Sequence, residues 1–162
     1  KHIALNDQET ARQNLTVWAN EQSIRQIYLR AFEVYCREGG KGFMSSFSRI
    51  GTLWTGEHGF INNICHDEWG WHGVTITDWI NPTLMPIDGG LRGGNDLWLF
   101  NNPTYSADDV MRYTPNDGIL LLKRAAKNIL YVVANSNGIW TEEEFHEKGV
   151  DVDFSQMGYT NY

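Results

Sequence analysis

Short strand-like runs alternate with longer helical stretches along this chain, and that alternation restricts the fold more than any other feature. Residues 1–5, "GFMSSF" (42–47), "VTIT" (74–77) and "DLWLF" (96–100) are apolar or β-branched runs of strand length. Ile24, Ile27, Tyr28, Ala31, Phe32 and Tyr35 fall at helical spacing and Gly39-Gly40 ends the pattern. The spacing therefore predicts an amphipathic helix over 20–38. A second helix is expected over roughly 57–68 and a third over 116–136. The apolar stripe of the third would be Ile119, Leu122, Ala126, Ile129, Leu130 and Val133. "NPTLMPIDGGLRGG" is dominated by glycine and proline and reads as a loop. Strand–helix–strand–helix–strand–loop–strand–helix is the order of βα units around a parallel sheet.

About four such units make half of an eight-stranded barrel, and a whole (β/α)8 barrel takes about 250 residues. The expected class is α/β, the second half of a TIM-type barrel over residues 1–137, with 138–162 as a C-terminal tail. Half a barrel leaves two open strand edges, which proteins avoid. The chain also opens "KHIALNDQET", with no initiator Met and as though already inside a strand. Both features lead us to expect a piece of a longer polypeptide.

The net charge of −7 argues against nucleic acid, which wants a basic face. No apolar run approaches the roughly 18 residues of a membrane span. Cys36 and Cys65 are too few for a disulfide framework or a metal knuckle. Asn14-Leu15-Thr16 is a glycosylation sequon that matters only in a secreted setting, so the sequence leaves cytoplasm and secretion both open. Seven Trp, seven Tyr and seven Phe supply core volume and also flat platforms on which sugar rings stack.

In a βα barrel, chemistry sits at the carboxyl ends of the strands. The first expected strand opens with Lys1-His2, the second ends at Met44-Ser45-Ser46-Phe47 and the third ends at Asp78-Trp79. An acid that closes a buried β-branched run is the sharpest of these, because a carboxylate is costly there; the plainer role for Asp78 is to cap the next segment. Asp67 and Glu68 at a helix end suit solvated charge or a salt bridge. His58, Cys65, His66 and His72 fit no familiar zinc spacing, so no metal is expected. "GGLRGGND" lacks the Lys-Ser/Thr ending of a P-loop and reads as a bend.

"KHIALNDQET", "EQSIRQIYLRAFE", "GFMSSFSRIGT", "DEWGWHGVTITDW" and "GGNDLWL" occur in this order from Lys1 to about Leu99. Together they resemble glycoside hydrolase family 3, which includes many β-glucosidases and β-xylosidases. The final helix looks like the end of members whose two domains are swapped in order. The resemblance implies that Asp78, in "TDW", is the catalytic nucleophile. It implies that Lys1 and His2 hydrogen-bond sugar hydroxyls, that Met44 and Phe47 line the pocket, and that Trp79 is the indole beside the nucleophile. The acid/base of such enzymes lies on a separate α/β sandwich domain, to which nothing in these 162 residues corresponds.

Members often have Tyr in place of Phe47 and Asn in place of Ser48, and Cys65-His66 replaces a commoner Leu-Arg, expected to be a surface change of little consequence. The implied function is a retaining glycosidase releasing terminal β-linked sugars through a covalent intermediate on Asp78, without cofactor or metal. Its partners would be a β-glucoside or related oligosaccharide and the remainder of the polypeptide, with no nucleic acid and no membrane. The alternative is a non-catalytic sugar-binding or scaffold remnant of the same fold.

Overall fold

The computed structural model describes residues 1–79, 84–99, 107–136, 141–147 and 149. Two compact units divide the chain, Lys1–Val132 and Val133–Tyr162. The strands are β1 (Thr16–Val17), β2 (Gly42–Ser45), β3 (Arg49–Ile50), β4 (Leu53–Trp54), β5 (Val74–Trp79) and β6 (Leu97–Leu99). The α-helices are α1 (Glu21–Ser23), α2 (Arg30–Arg37), α3 (Ile87–Gly93), α4 (Ala107–Tyr113), α5 (Gly118–Ala134) and α6 (Glu142–Glu147).

The central sheet has the order β2–β5–β6 and is parallel throughout. The chain start adds a bridge on its outer side. Ile3 pairs with Ser45, its N–H donating to the Met44 carbonyl at 2.8 Å while its own carbonyl accepts from Ser46 N–H at 3.1 Å. The strand expected over 1–5 thus reduces to one bridge. The backbone turns at Ala4 and Leu5, where Leu5 has φ 61°, and a left-handed residue cannot continue a ladder. Parallel neighbours in sequence order require the crossovers to pass along one side.

Strand parity sorts the side chains. On the helix-covered face, Phe43, Ser45, Thr75 and Thr77 are fully or almost fully buried. Phe43 meets Phe32 of α2 edge-on at 5.7 Å and Trp71 at 4.4 Å. On the other face Met44, Val74 and Ile76 are only half-buried and Leu97 is exposed. A second, small sheet, β1–β3–β4, pairs the segments that leave Ile3 and β2.

The helix expected over 20–38 is realised as α1, a π-helical stretch Ile24–Tyr28 and α2. The one expected over 57–68 is a π-helix, Phe60–Glu68, preceded by a 3₁₀ turn, Thr55–Glu57. Three corrections follow from packing. The glycine-rich segment read as a loop contains α3. Its glycines let the helix lie directly on the Gly56–Glu57 backbone, where a Cβ on Gly93 would run into the Gly56 carbonyl.

The stripe expected on α5 is displaced. Ala125 is buried with Leu121 and Leu122 beside it, whereas Ile119, Leu130 and Val133 are exposed. Cys65 is no surface residue but is wholly buried in the main core, with Cys36 packed against it. A capping box opens the last described helix. Thr141 N–H donates to Glu144 Oε2 at 2.7 Å and Glu144 N–H to Thr141 Oγ1 at 3.3 Å, opening α6.

Candidate active site

β5 is central in the sheet, hydrogen-bonded on both sides, and its β-branched residues suit that position. Asp78 is its penultimate residue, at the carboxyl end, where the register with β6 shifts between Ile76 and Trp79. Its side chain is only 12 % exposed. Arg12 Nη1 donates to Oδ2 at 3.0 Å, His2 Nε2 lies 3.2 Å from the same oxygen, and the Trp79 N–H donates to Oδ1 at 2.7 Å. Both oxygens are thus fixed in orientation.

His2 is held below its ordinary value of 6.5 chiefly by burial. Asp78 pulls the other way, and Lys1 and Arg12 add to the lowering. A neutral His2 that donates through Nε2 leaves Nδ1 as an acceptor.

Arg12 is the site residue that the sequence reading missed. It comes from the segment between Ile3 and β1, is held on its other edge by Glu9 at 3.1 Å, and lies over the Phe47 ring at 4.7 Å. Phe47 is buried with Trp54 and Met85, so it supports Arg12 from below and does not form an open wall. Trp54 is pinned by its Nε1–H to the Ser46 carbonyl at 2.6 Å.

Of the other expected residues, Met44 is half-buried and pairs in register with Ile76, just below Asp78. Lys1 is exposed, and Trp79 is half exposed at the strand end. Ser48 is fully buried with its Oγ unpartnered. The structure therefore gathers Asp78, His2, Arg12 and Phe47 tightly and leaves Lys1 and Trp79 at the rim.

Among the described residues, no three His, Cys, Asp or Glu side chains converge as metal ligands. His58 lies on Phe60, His66 Nδ1 meets the Trp71 carbonyl at 2.7 Å, and His72 lies beside Tyr131. Glu68 forms a two-pronged pair with Arg25 at 2.6 and 2.8 Å, the salt-bridge role expected for it.

A parallel α/β sheet whose central strand ends in an oriented, anchored carboxylate defines an α/β protein with its candidate site at the strand carboxyl ends. Comparison with known proteins narrows this class. No family model matches the chain. A β-glucosidase of Ruminococcus albus is 30 % identical over 152 residues, covering 86 % of this chain and 16 % of that protein. A putative β-glucosidase of Schizosaccharomyces pombe is 29 % identical over 159 residues, 90 % of this chain and 18 % of that one.

Among solved structures, the family 3 β-glucosidase of Bifidobacterium adolescentis superposes with a TM-score of 0.71 at 23 % identity. It covers 96 % of this chain and 22 % of its own. β-Glucosidase 3B of Thermotoga neapolitana gives 0.70 at 24 %, covering 85 % and 21 %. The chain is similar in sequence to β-glucosidases and in fold to part of a family 3 β-glucosidase, and it spans about a sixth of the length of the curated relatives it matches.

Proposed function

We propose that this chain carries the nucleophile of a retaining β-glucosidase, with Asp78 attacking the anomeric carbon of a terminal β-linked sugar. The observation that supports this most is the anchoring of Asp78 at the carboxyl end of β5 by Arg12, His2 and the Trp79 amide. A nucleophile must be aimed before substrate arrives, and these donors hold both carboxyl oxygens in place. In this reading the glycosyl–oxygen bond to the leaving group breaks as the bond to an Asp78 oxygen forms. A second carboxyl group protonates the departing oxygen and later activates water, and in retaining enzymes the two lie about 5–5.5 Å apart. That acid/base comes from outside these 162 residues. His2 and Lys1 contact sugar hydroxyls, Met44 lines the floor, and Trp79 forms the apolar rim; Phe47 acts through Arg12.

The open face of the sheet supports a barrel reading. Purely parallel sheets are covered on both faces, and among the described residues Met44 and Ile76 are only half-buried and Leu97 is exposed on the face away from the helices. We take this face as barrel interior, completed by strands of the remaining polypeptide.

The test is hydrolysis of an aryl β-glucoside. The complete enzyme should release the β-anomer first, and Asp78→Ala should lose at least about 10⁴-fold in kcat. Release of the α-anomer, or an Asp78→Ala enzyme that retains most activity, would overturn the reading.

A further inference from the structure

A cavity of about 470 Å³ opens between the π-helix Phe60–Glu68 and α5, at the amino ends of the strands. His66 and Asp67 line it from the π-helix, His72 from the turn into β5, and Arg124, Lys127 and Tyr131 from α5. Gly73, also in the lining, precedes β5, and Asp78 lies five residues further on. That separation is about 17 Å along an extended strand, so the cavity is remote from the Asp78 carboxylate.

The spacing on α5 explains why the cavity is polar. Arg124, Lys127, Asn128 and Tyr131 fall at i, i+3, i+4 and i+7 and share one helical face. The apolar contact of α5 is made by Leu121, Leu122 and Ala125. Several of the polar groups are held by the fold. Asn128 Nδ2 donates to Asp96 Oδ1 at 3.0 Å, and His66 Nδ1 is 2.7 Å from the Trp71 carbonyl. His72 lies on the Tyr131 ring at 5.5 Å, and Lys41 Nζ donates to Tyr131 Oη at 3.3 Å.

The charges decide what kind of ligand suits the site. Arg124 and Lys127 in the lining and Lys41 beside Tyr131 bring three positive charges. Asp67 and Asp96 oppose them, and Asp96 is already engaged by the Thr75 N–H and Asn128. Arg12, Arg25, Arg30, Arg37 and Arg92 all pair with carboxylates. Among the described residues, neither Arg124 nor Lys127 forms such a pair. Arg124 is half-buried; its Nη2 donates to the Leu91 carbonyl, and its Nε has no partner among the described residues. A half-buried charge without a counter-charge is costly, and an anion in the cavity offsets that cost. His66 is held below its ordinary 6.5 chiefly by burial; Arg124 and His72 add to the lowering, while the Trp71 carbonyl and Asp67 oppose it. Positive groups thus act on one another here, on a chain whose net charge is −7.

We propose that this cavity binds a phosphate group, free or as the monoester of a small molecule, separately from the Asp78 pocket. A guanidinium and an ammonium on one helical face suit the oxygens of a tetrahedral oxyanion. The volume lies in the range of small-ligand sites and leaves room for an organic part beside the Tyr131 ring. The proposal goes beyond the glycosidase reading and does not depend on it.

The experiment is calorimetric titration of the complete enzyme with inorganic phosphate and, separately, with glucose 6-phosphate. Excess glucose is present throughout to occupy the Asp78 pocket. Saturable binding that weakens as salt rises is expected. Tighter binding of the ester would assign its sugar to the rest of the cavity, and tighter binding of the ion would assign the site to free phosphate. Lys127 is exposed, so Lys127→Gln should keep the fold and weaken binding about tenfold, and Lys127→Arg should restore it. No saturable binding of either compound, or equal affinity of Lys127→Gln and its parent, would overturn the proposal. Failure of the enzyme to hydrolyse an aryl β-glucoside would instead strike the catalytic reading, with the phosphate site still decided by its own titration.

Discussion

Arg12 carries the most consequence for its size. Its guanidinium holds Asp78 at 3.0 Å, Glu9 at 3.1 Å and the Phe47 face at 4.7 Å, so one side chain links a surface acid, the candidate nucleophile and a buried ring. Hydrogen bonds to charged groups contribute about 1.5–3 kcal/mol. Arg12→Ala should therefore lower kcat/KM on an aryl β-glucoside roughly thirty-fold, while the far-ultraviolet circular dichroism stays unchanged. An unchanged kcat/KM would show that Arg12 does not orient the carboxylate. Asp78 was singled out in the sequence as an acid closing a buried run, and His2 by the family resemblance. Arg12 was not. It sits in the polar stretch "NDQETARQN", and its partner is 66 residues away, a pairing that no local pattern encodes.

Among the elements, helices with clear periodicity were readable, whereas α3 was hidden by its composition. Gly89, Gly90 and Gly93 are poor helix formers, yet the close approach to Gly56, Glu57 and Trp54 needs them. Gly93→Ala should lower stability by about 2 kcal/mol, or roughly 5 °C in Tm, despite the better propensity of alanine; a raised Tm would contradict the packing. The covered face of α5 was misread because apolar residues occur all round its first turns, and only tertiary contact selects Leu121, Leu122 and Ala125. That helix also reaches a buried acid.

Asp96, just before β6, accepts from Thr75 N–H at 2.9 Å and from Asn128 Nδ2 at 3.0 Å. Burial nevertheless pushes it up to about 6 from 3.8. A raised carboxyl binds its proton more tightly in the folded state. Its contribution is therefore favourable at low pH and is lost as pH rises from about 4 to about 6. Urea unfolding across that range should show this loss, and Asp96→Asn should flatten it; an identical slope in both proteins would refute the assignment.

At the scale of the whole molecule, strand order and parallel pairing followed from the alternation of elements, because βα units leave few topologies. What completes the open face of the sheet was not legible, since half-buried Met44, Val74 and Ile76 read as core in any sheet. The 162-residue chain alone should not hydrolyse an aryl β-glucoside, because the proposed mechanism needs two carboxyl groups and Asp78 supplies one; turnover by this chain alone would show that a second acid lies within it. The central claim is that Asp78 is the nucleophile. It is tested most directly by treating the complete enzyme with a 2-deoxy-2-fluoro-β-glucoside, which traps the glycosyl-enzyme, and locating the label by peptide mass spectrometry. The label should fall on Asp78, and a label on any other carboxylate would contradict the account.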